Sequence, residues 1–322
     1  MSNNLQQYAI GVDIGGTNTK YGIVNHRGDI SHSGRMSTSE FLTAEAFVAA
    51  LYSAILPAID AVGVENIKGI GVGAPNANYF TGSIEHAPNL NWKGIVPFAR
   101  LISERFHLPC SITNDANAAA VGEMMYGAAK GMKDFIVITL GTGVGSGIVT
   151  SGHLIYGHDG FAGELGHTVV RHGGRQHWST EIYGSLEAYA SATGIAITAR
   201  EMIAGADKQS LLKQYPLEEI DSKAVYECAM KGDEIAKEVY RFTGQILGEA
   251  LANFVMFSSP EAIILFGGVT KAGNLIMDPV REHMEKNLLA VFRNKVMLTF
   301  SELKEADAAI LGASALVWEI KR

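Results

Sequence analysis

YAIGVDIGGTNTKYGIVNHRGDI, Tyr8 to Ile30, decides the fold. Tyr8 to Val12 is apolar and reads as a strand that runs into the glycine turn Gly15-Gly16. Thr19 to Val24 reads as a second strand, and NHRGD, Asn25 to Asp29, as the hairpin turn that closes it. The pattern returns at FIVITLGTGVGSGIVTSGHLI, Phe135 to Ile155. Each copy has an apolar strand, a glycine and threonine turn, a second strand opening Gly-Ile-Val at Gly22 or Gly147, and a polar turn with Gly28 or Gly152. One gap brings Gly15 onto Gly141. A supersecondary unit used twice predicts a molecule with two comparable halves.

The remaining segments alternate between strand and helix patterns. Ala44 to Ala61, Lys93 to Phe106, Leu186 to Met202, Lys223 to Met230, Asp233 to Phe257, Leu275 to Leu289 and Ala306 to Trp318 read as helices. Asn114 to Tyr126 carries small residues at helical spacing, suited to close packing on a sheet. Ile67 to Val72, Cys110 to Thr113, Glu261 to Phe266 and Val296 to Phe300 read as strands. Strands interleaved with helices predict an α/β chain. A length of 322 residues suits two lobes. The expected division is residues 1–118 as a small lobe, with 304–322 returning to it, and 119–303 as a large lobe.

Composition narrows the function classes. Lys and Arg number 26 against 33 Asp and Glu, a formal charge of −7 that argues against nucleic acid as the main partner. Cys110 and Cys228 both sit in apolar surroundings, as reduced buried thiols do. The start, MSNNLQQYAI, has no basic region followed by an apolar run, so no signal peptide is expected. The apolar segments read as too short or too glycine-broken to span a membrane, and the cytoplasm is the expected location.

DIGGTNTK, Asp13 to Lys20, joins a carboxylate to a glycine turn with hydroxyls. Backbone N–H groups in such a turn can cradle phosphate oxygens, and Asp13 could hold Mg²⁺, directly or through water. Lys20 is either a phosphate contact or a solvent-facing lysine on the second strand. The run lacks the GxxxxGK[ST] spacing, and a strand rather than a helix follows it, so neither the P-loop nor the dinucleotide fingerprint applies. A tight hairpin remains the plain alternative. LGTGVGSG, Leu140 to Gly147, is a second such turn, and FGGVT, Phe266 to Thr270, a third with bare backbone where a flat adenine could approach. Three strand-end glycine turns favour a nucleotide site. In TNDANAAAVGE, Thr113 to Glu123, Asn114 and Asp115 stand where a strand gives way to a helix. Either residue could cap the helix, or Asp115 could take a proton from an acceptor hydroxyl, and the two could divide these roles. Asn76, Asn89 and Asn91 suit sugar hydroxyls and turns equally well.

DIGGTNTK, the GAP turn at Gly73 to Pro75, NLNW, NDANAAAVGE, LGTGVGSG, AGELGH, SLEAYAS and FGGV, in that order and over essentially the whole chain, resemble the ROK family of sugar kinases and sugar-responsive repressors. The resemblance implies the two-lobed, actin-like (ribonuclease-H-like) ATPase fold. It implies Asp13 near Mg²⁺, Gly15, Gly16 and Thr17 at phosphates, Thr142 and Gly143 as the second phosphate turn, and Gly267 and Gly268 beside adenosine. It implies Asp115 as the base for the sugar 6-hydroxyl, with Asn89, Asn114, Glu164, His167 and Glu187 holding the other hydroxyls. A homodimer is implied as well. Repressors of this family carry a DNA-binding domain ahead of the kinase-like core. Here the first turn starts within twenty residues of Met1, so no such domain is expected.

One departure stands out. Many relatives bind structural zinc through the histidine of the GH dipeptide and three cysteines. Counting back from Leu186-Glu187, those cysteine places hold Trp178, Thr180 and Ser185, so zinc is not expected. His167, His172 and His177 remain as nitrogen ligands without an obvious fourth partner, and Trp178 offers itself as an apolar anchor for the loop. The expected function is an ATP-dependent hexose kinase with glucose as substrate. The alternatives are an N-acetylmannosamine, N-acetylglucosamine or fructose kinase, a non-catalytic sugar sensor, or an actin-like filament protein.

Overall fold

The computed structural model describes residues 7–205 and 208–319. The reading of the N-terminus as free of a signal peptide rests partly on residues 1–6, and the returning segment ends at 320–322; both stretches lie outside the described residues. In chain order the strands are β1 Tyr8–Ile14, β2 Asn18–Asn25, β3 Ile30–Ser37, β4 Ile67–Gly73, β5 Ala77–Asn78, β6 Ser83–Glu85, β7 Ile95–Val96, β8 Cys110–Thr113, β9 Phe135–Leu140, β10 Val144–Thr150, β11 His153–Leu154, β12 Ala262–Phe266 and β13 Met297–Phe300. The helices are α1 Ala44–Val62, α2 Phe98–Phe106, α3 Asp115–Tyr126, α4 Glu187–Ala190, α5 Ala192–Ala204, α6 Ser222–Met230, α7 Glu234–Ser258, α8 Asn274–Asn287 and α9 Glu305–Glu319. Two compact units result: Met1–Met132 with Gly147–Gly163 and Ser301–Arg322, and Lys133–Ser146 with Glu164–Phe300.

The first unit is built on a five-stranded sheet of order β3-β2-β1-β4-β8. β1 and β2 form the expected antiparallel hairpin, with Asp13 opposite Lys20. β1, β4 and β8 run parallel, which aligns Asp13 with Gly73 and Gly73 with Thr113 at their carboxyl ends. The carboxyl ends of parallel strands are where open α/β sheets place ligands. Ile10, Val12 and Ile14 point to one face, where α1 and α2 bury Phe47, Leu51, Ile55, Phe98 and Ile102 against them. The alternate residues face α9, which packs on β1, β4 and α3.

α1 corrects the expectation about membrane spans. At 19 residues and a mean hydropathy of 1.5, it is long and apolar enough to cross a bilayer by length and composition. Its buried stripe of Phe47, Val48, Leu51, Ile55 and Ile59 belongs instead to the core of the first unit.

In the second unit β12 pairs in parallel with β9 and with β13. This register sets Thr139 beside Phe266, so the turns after β9 and β12 leave from one edge. Most helices fall where their patterns predict, with two differences. The helix expected from Lys93 starts only at Phe98, because Ile95–Val96 pairs with β6 and Pro97 follows. The helix expected over Leu186 to Met202 breaks at Ser191, whose extended backbone and hydroxyl cap α5 at Gly194 N–H, 2.9 Å away.

Candidate active site

The first unit gathers one cluster at the ends of β1, β4 and β8. The turn after β1 is closed by Gly15 N–H donating to Asn18 C=O at 3.0 Å. Thr17 C=O is fixed from behind by Thr38 N–H at 2.8 Å, and a buried Thr19–Thr38 hydroxyl pair secures the hairpin. Among the described residues, no hydrogen bond uses the N–H groups of Gly16 and Thr17. The turn therefore presents two free donors, as an anion cradle requires.

Asn89 lies against this turn. A Cβ on Gly16 would stand 2.8 Å from the Asn89 carbonyl oxygen. The three asparagines left open by the sequence now separate. Asn76 donates to Glu85 C=O at 3.1 Å and Asn91 to Ser39 C=O at 2.9 Å, so both are committed to turns. Asn89 is exposed and its side chain carries no hydrogen bond among the described residues. The buried Trp92, stacked on Phe98 and donating to Phe41 C=O, pins the loop that offers it.

Asn114 and Asp115 divide their roles. Asn114 Oδ1 accepts from Asn117 N–H at 2.6 Å and caps α3, leaving its amide N–H groups for a ligand. Asp115 is the first residue of α3, and one of its oxygens accepts Ala116 N–H at 2.8 Å. Asp115 keeps a solvent-exposed side, yet the protein packed around it raises its carboxyl above the usual range. Asp13 is half-buried beside it. Burial first, and the Asp115 charge second, push Asp13 up to about 6, with Lys20 partly offsetting both. The two carboxyls are held up by different causes, Asp115 by burial and Asp13 by burial with the Asp115 charge beside it.

The second unit gathers another cluster. Its turn after β9 is closed by Gly141 N–H donating to Gly143 C=O at 3.0 Å, one residue tighter than its counterpart at Gly15. Ala192 N–H and the Thr193 hydroxyl hold the Gly141 and Thr142 carbonyls at 2.8 and 3.0 Å. The N–H groups of Thr142 and Gly143 are again unused among the described residues. At the end of β12, Gly267 has φ 108° and ψ −179°, which only glycine adopts readily. Its missing side chain would meet Leu140 C=O at 2.6 Å, and Gly268 faces open space.

Glu187, at the start of α4, has both oxygens engaged. One accepts Val144 N–H at 2.7 Å and the other stands 2.6 Å from His177 Nε2. His167 lies 3.8 Å from the exposed Glu164 carboxylate, and its Nδ1 is buried without a hydrogen-bond partner. Among the described residues, no group of three or more His, Cys, Asp or Glu side chains is arranged to hold a metal ion.

Two residues of this cluster take roles that the sequence did not indicate. His177, weighed there only as a metal ligand, bonds Glu187 instead; Arg175, not singled out, does what Trp178 was expected to do. Trp178 is 44% exposed, whereas Arg175 forks onto Glu201, reaches Thr198 and the Gly194 carbonyl, and lies 4.7 Å over the Tyr189 ring. A loop has no period, so its interior residues carry no burial signal. In the structure the isolated bridges Val169 to Ser185 and Gln176 to Tyr183 fold the segment back on itself.

The chain as a whole is similar to known proteins. The ROK family profile matches residues 9–320. The glucokinase of Halalkalibacterium halodurans is 34% identical over 319 residues, 97% of this chain and 95% of that one. The glucokinase of Thermotoga maritima is 33% identical, covering 96% of this chain and 97% of that one. Among solved structures, a ROK family glucokinase from Streptomyces griseus in complex with glucose and AMPPNP superposes with a TM-score of 0.79 at 32% identity, covering 96% of this chain and 98% of that one.

Proposed function

The chain belongs to the ROK family, with its actin-like, ribonuclease-H-like ATPase fold, and from that premise we propose that it is an ATP-dependent hexose kinase with glucose as substrate. The observation that carries the reading is the carboxylate pair at the ends of β1 and β8, with Asp115 retaining one oxygen for a proton.

The sugar 6-hydroxyl attacks the γ-phosphorus, its proton passes to Asp115, and the bond to the β–γ bridging oxygen breaks to release ADP. A raised carboxyl pKa suits Asp115 to that proton. The free N–H groups of Gly16, Thr17, Thr142 and Gly143 suit phosphate oxygens, the Gly15 turn shapes the first set, and Lys20 adds positive charge. Gly267 and Gly268 leave room for the flat face of adenosine. Asp13 would hold Mg²⁺, which when bound neutralises charge on the phosphates. Asn89 and Asn114 donate to sugar hydroxyls, while Glu164, Glu187 and His167 accept from them. A sugar lacking one of these hydroxyls would leave a polar partner unpaired, which is a source of discrimination.

A small lobe of residues 1–118 and 304–322 remains our functional division, supported by the packing of α9 on β1 and β4. A homodimer is carried as a proposal from the resemblance, and a cytoplasmic location as a separate proposal. Two unpaired cysteines and a dependence on ATP fit a reducing compartment.

The test is ADP release with Mg²⁺-ATP across glucose, mannose, fructose, N-acetylglucosamine and N-acetylmannosamine. Glucose should give the highest kcat/KM. Asp115→Ala should lower kcat by about 10²–10⁴-fold while sugar affinity changes little. Sugar binding without sugar-stimulated ADP release would identify a sensor instead.

A further inference from the structure

His177 is the most buried ionisable side chain of its loop, 3% exposed, and the mechanism above gives it no part. Its surroundings fix its hydrogen. Nδ1 lies 3.2 Å from Ser179 N–H and 3.1 Å from Thr180 N–H. A backbone N–H can only donate, so Nδ1 is the acceptor and the ring hydrogen sits on Nε2. Nε2 stands 2.6 Å from Glu187 Oε1, so the ring donates to that carboxylate. The other Glu187 oxygen already accepts Val144 N–H, in the residue that follows the Thr142-Gly143 turn. Trp178 lies 4.0 Å from the imidazole, centroid to centroid, and His167 meets it edge-on at 5.9 Å, which limits rotation of the ring.

We infer that His177 is a positioning residue for the sugar site: as the Nε2–H tautomer, with Nδ1 locked by the backbone of its own loop, it sets the orientation of Glu187. The inference rests on the reading of Glu187 as a sugar ligand. A carboxylate oxygen has two lone pairs, and one on each oxygen is spent on Val144 and on His177. The two that remain have directions set by those bonds, and a pyranose presents its hydroxyls in equally fixed directions. Without the His177 donor, Glu187 keeps only the Val144 contact and can rotate about it. Sugar binding should then weaken, while the phosphate turn keeps its shape through Gly141, Ala192 and Thr193.

The side chains of Gln and Asn separate the two ring nitrogens. Gln places an amide donor near the position of Nε2 and loses the Nδ1 acceptor, whereas Asn keeps an acceptor near Nδ1 and loses the donor to Glu187. Steady-state kinetics of His177→Asn, His177→Gln and Glu187→Ala, with sugar and ATP varied separately, therefore tests the role. His177→Asn should raise the sugar KM about ten- to hundredfold, with kcat and the ATP KM moving less than about threefold. His177→Gln should return the sugar KM to within about threefold of the unmodified protein. A purely loop-holding histidine predicts the reverse order, and finding Asn tolerated or Gln no better than Asn overturns the inference. Glu187→Ala should raise the sugar KM at least as much as His177→Asn. A native sugar KM in Glu187→Ala removes the sugar-ligand reading itself, whereas a raised one beside a native His177→Asn removes only the role of His177. Nitrogen NMR of ¹⁵N-histidine in the unmodified protein gives an answer independent of any variant: the Nε2–H tautomer at His177 is required, and the Nδ1–H tautomer overturns the proposal.

Discussion

Asp13 shows how a single residue can trade stability for chemistry. Its carboxyl is pushed up to about 6 in the folded protein, above its value in an unfolded chain, so the folded state holds the proton more tightly. The resulting stability is fully present below the unfolded value near pH 4 and is lost as pH rises through about 6. Above that point the ionised group costs at most about 3 kcal/mol when no cation compensates it. Asp13→Asn removes the cost, since an amide does not ionise. In calorimetry without Mg²⁺, the variant should match the native protein near pH 4 and exceed its Tm by a growing margin up to about pH 6, then by a constant one. It should also lose turnover. Equal Tm values at pH 7.5 would mean that the Asp13 charge is already compensated. Asp13 and Asp115 could be named from sequence because each adjoins a strand end and a turn. His177 could be named only as a possible metal ligand, because its actual partners are two loop N–H groups and one carboxylate that no spacing rule connects.

The glycine turns are the elements that carry nucleotide chemistry, and Gly267 is the most constrained of them. Its positive φ and the 2.6 Å approach to Leu140 C=O leave no room for a methyl group. Gly267→Ala should strain the backbone and shift the end of β12. The expected outcome is an ATP KM raised about tenfold or more with a smaller change in sugar KM, measured by the same kinetics. Elements of this kind were legible because strand and turn chemistry both mark them: apolar runs at β1 and β9 lead into glycines, and the second strands share the tripeptide Gly-Ile-Val in their later halves. The short sheet β5-β6-β7 was not legible, since two- and three-residue strands hold no period. Its place was partly read as helix until Pro97 and the pairing of Ile95–Val96 set the true start of α2. The apolar α1 passes a length test for a membrane helix because a one-dimensional average cannot register that its buried residues share one stripe.

At the scale of the whole molecule, each unit carries a strand-end glycine turn with two N–H groups that no hydrogen bond uses among the described residues. The first unit also depends on a segment remote in sequence. Helix α9 comes so close to β1 and β4 that a Cβ on Gly11 would overlap the carbonyl of Ile310, and one on Gly71 that of Ala313. Gly71→Ala should therefore cost about 3 kcal/mol, read as a lower denaturation midpoint, because neither backbone can retreat without disturbing its neighbours. An unchanged midpoint would show that the helix can slide. The same contact sets an order of events during synthesis. β1 emerges from the ribosome among the first residues, and its glycine-faced side has no cover until residues 305–319 follow. Almost the whole polypeptide must be translated before Asp13 and Asp115 gain their final surroundings, and the closing contact spans nearly the full contour of the chain. Such a long-range final step makes for slow maturation and a nascent chain with apolar sheet exposed, the kind of intermediate that chaperones shelter. It also keeps the phosphotransfer machinery from assembling on partly made chains.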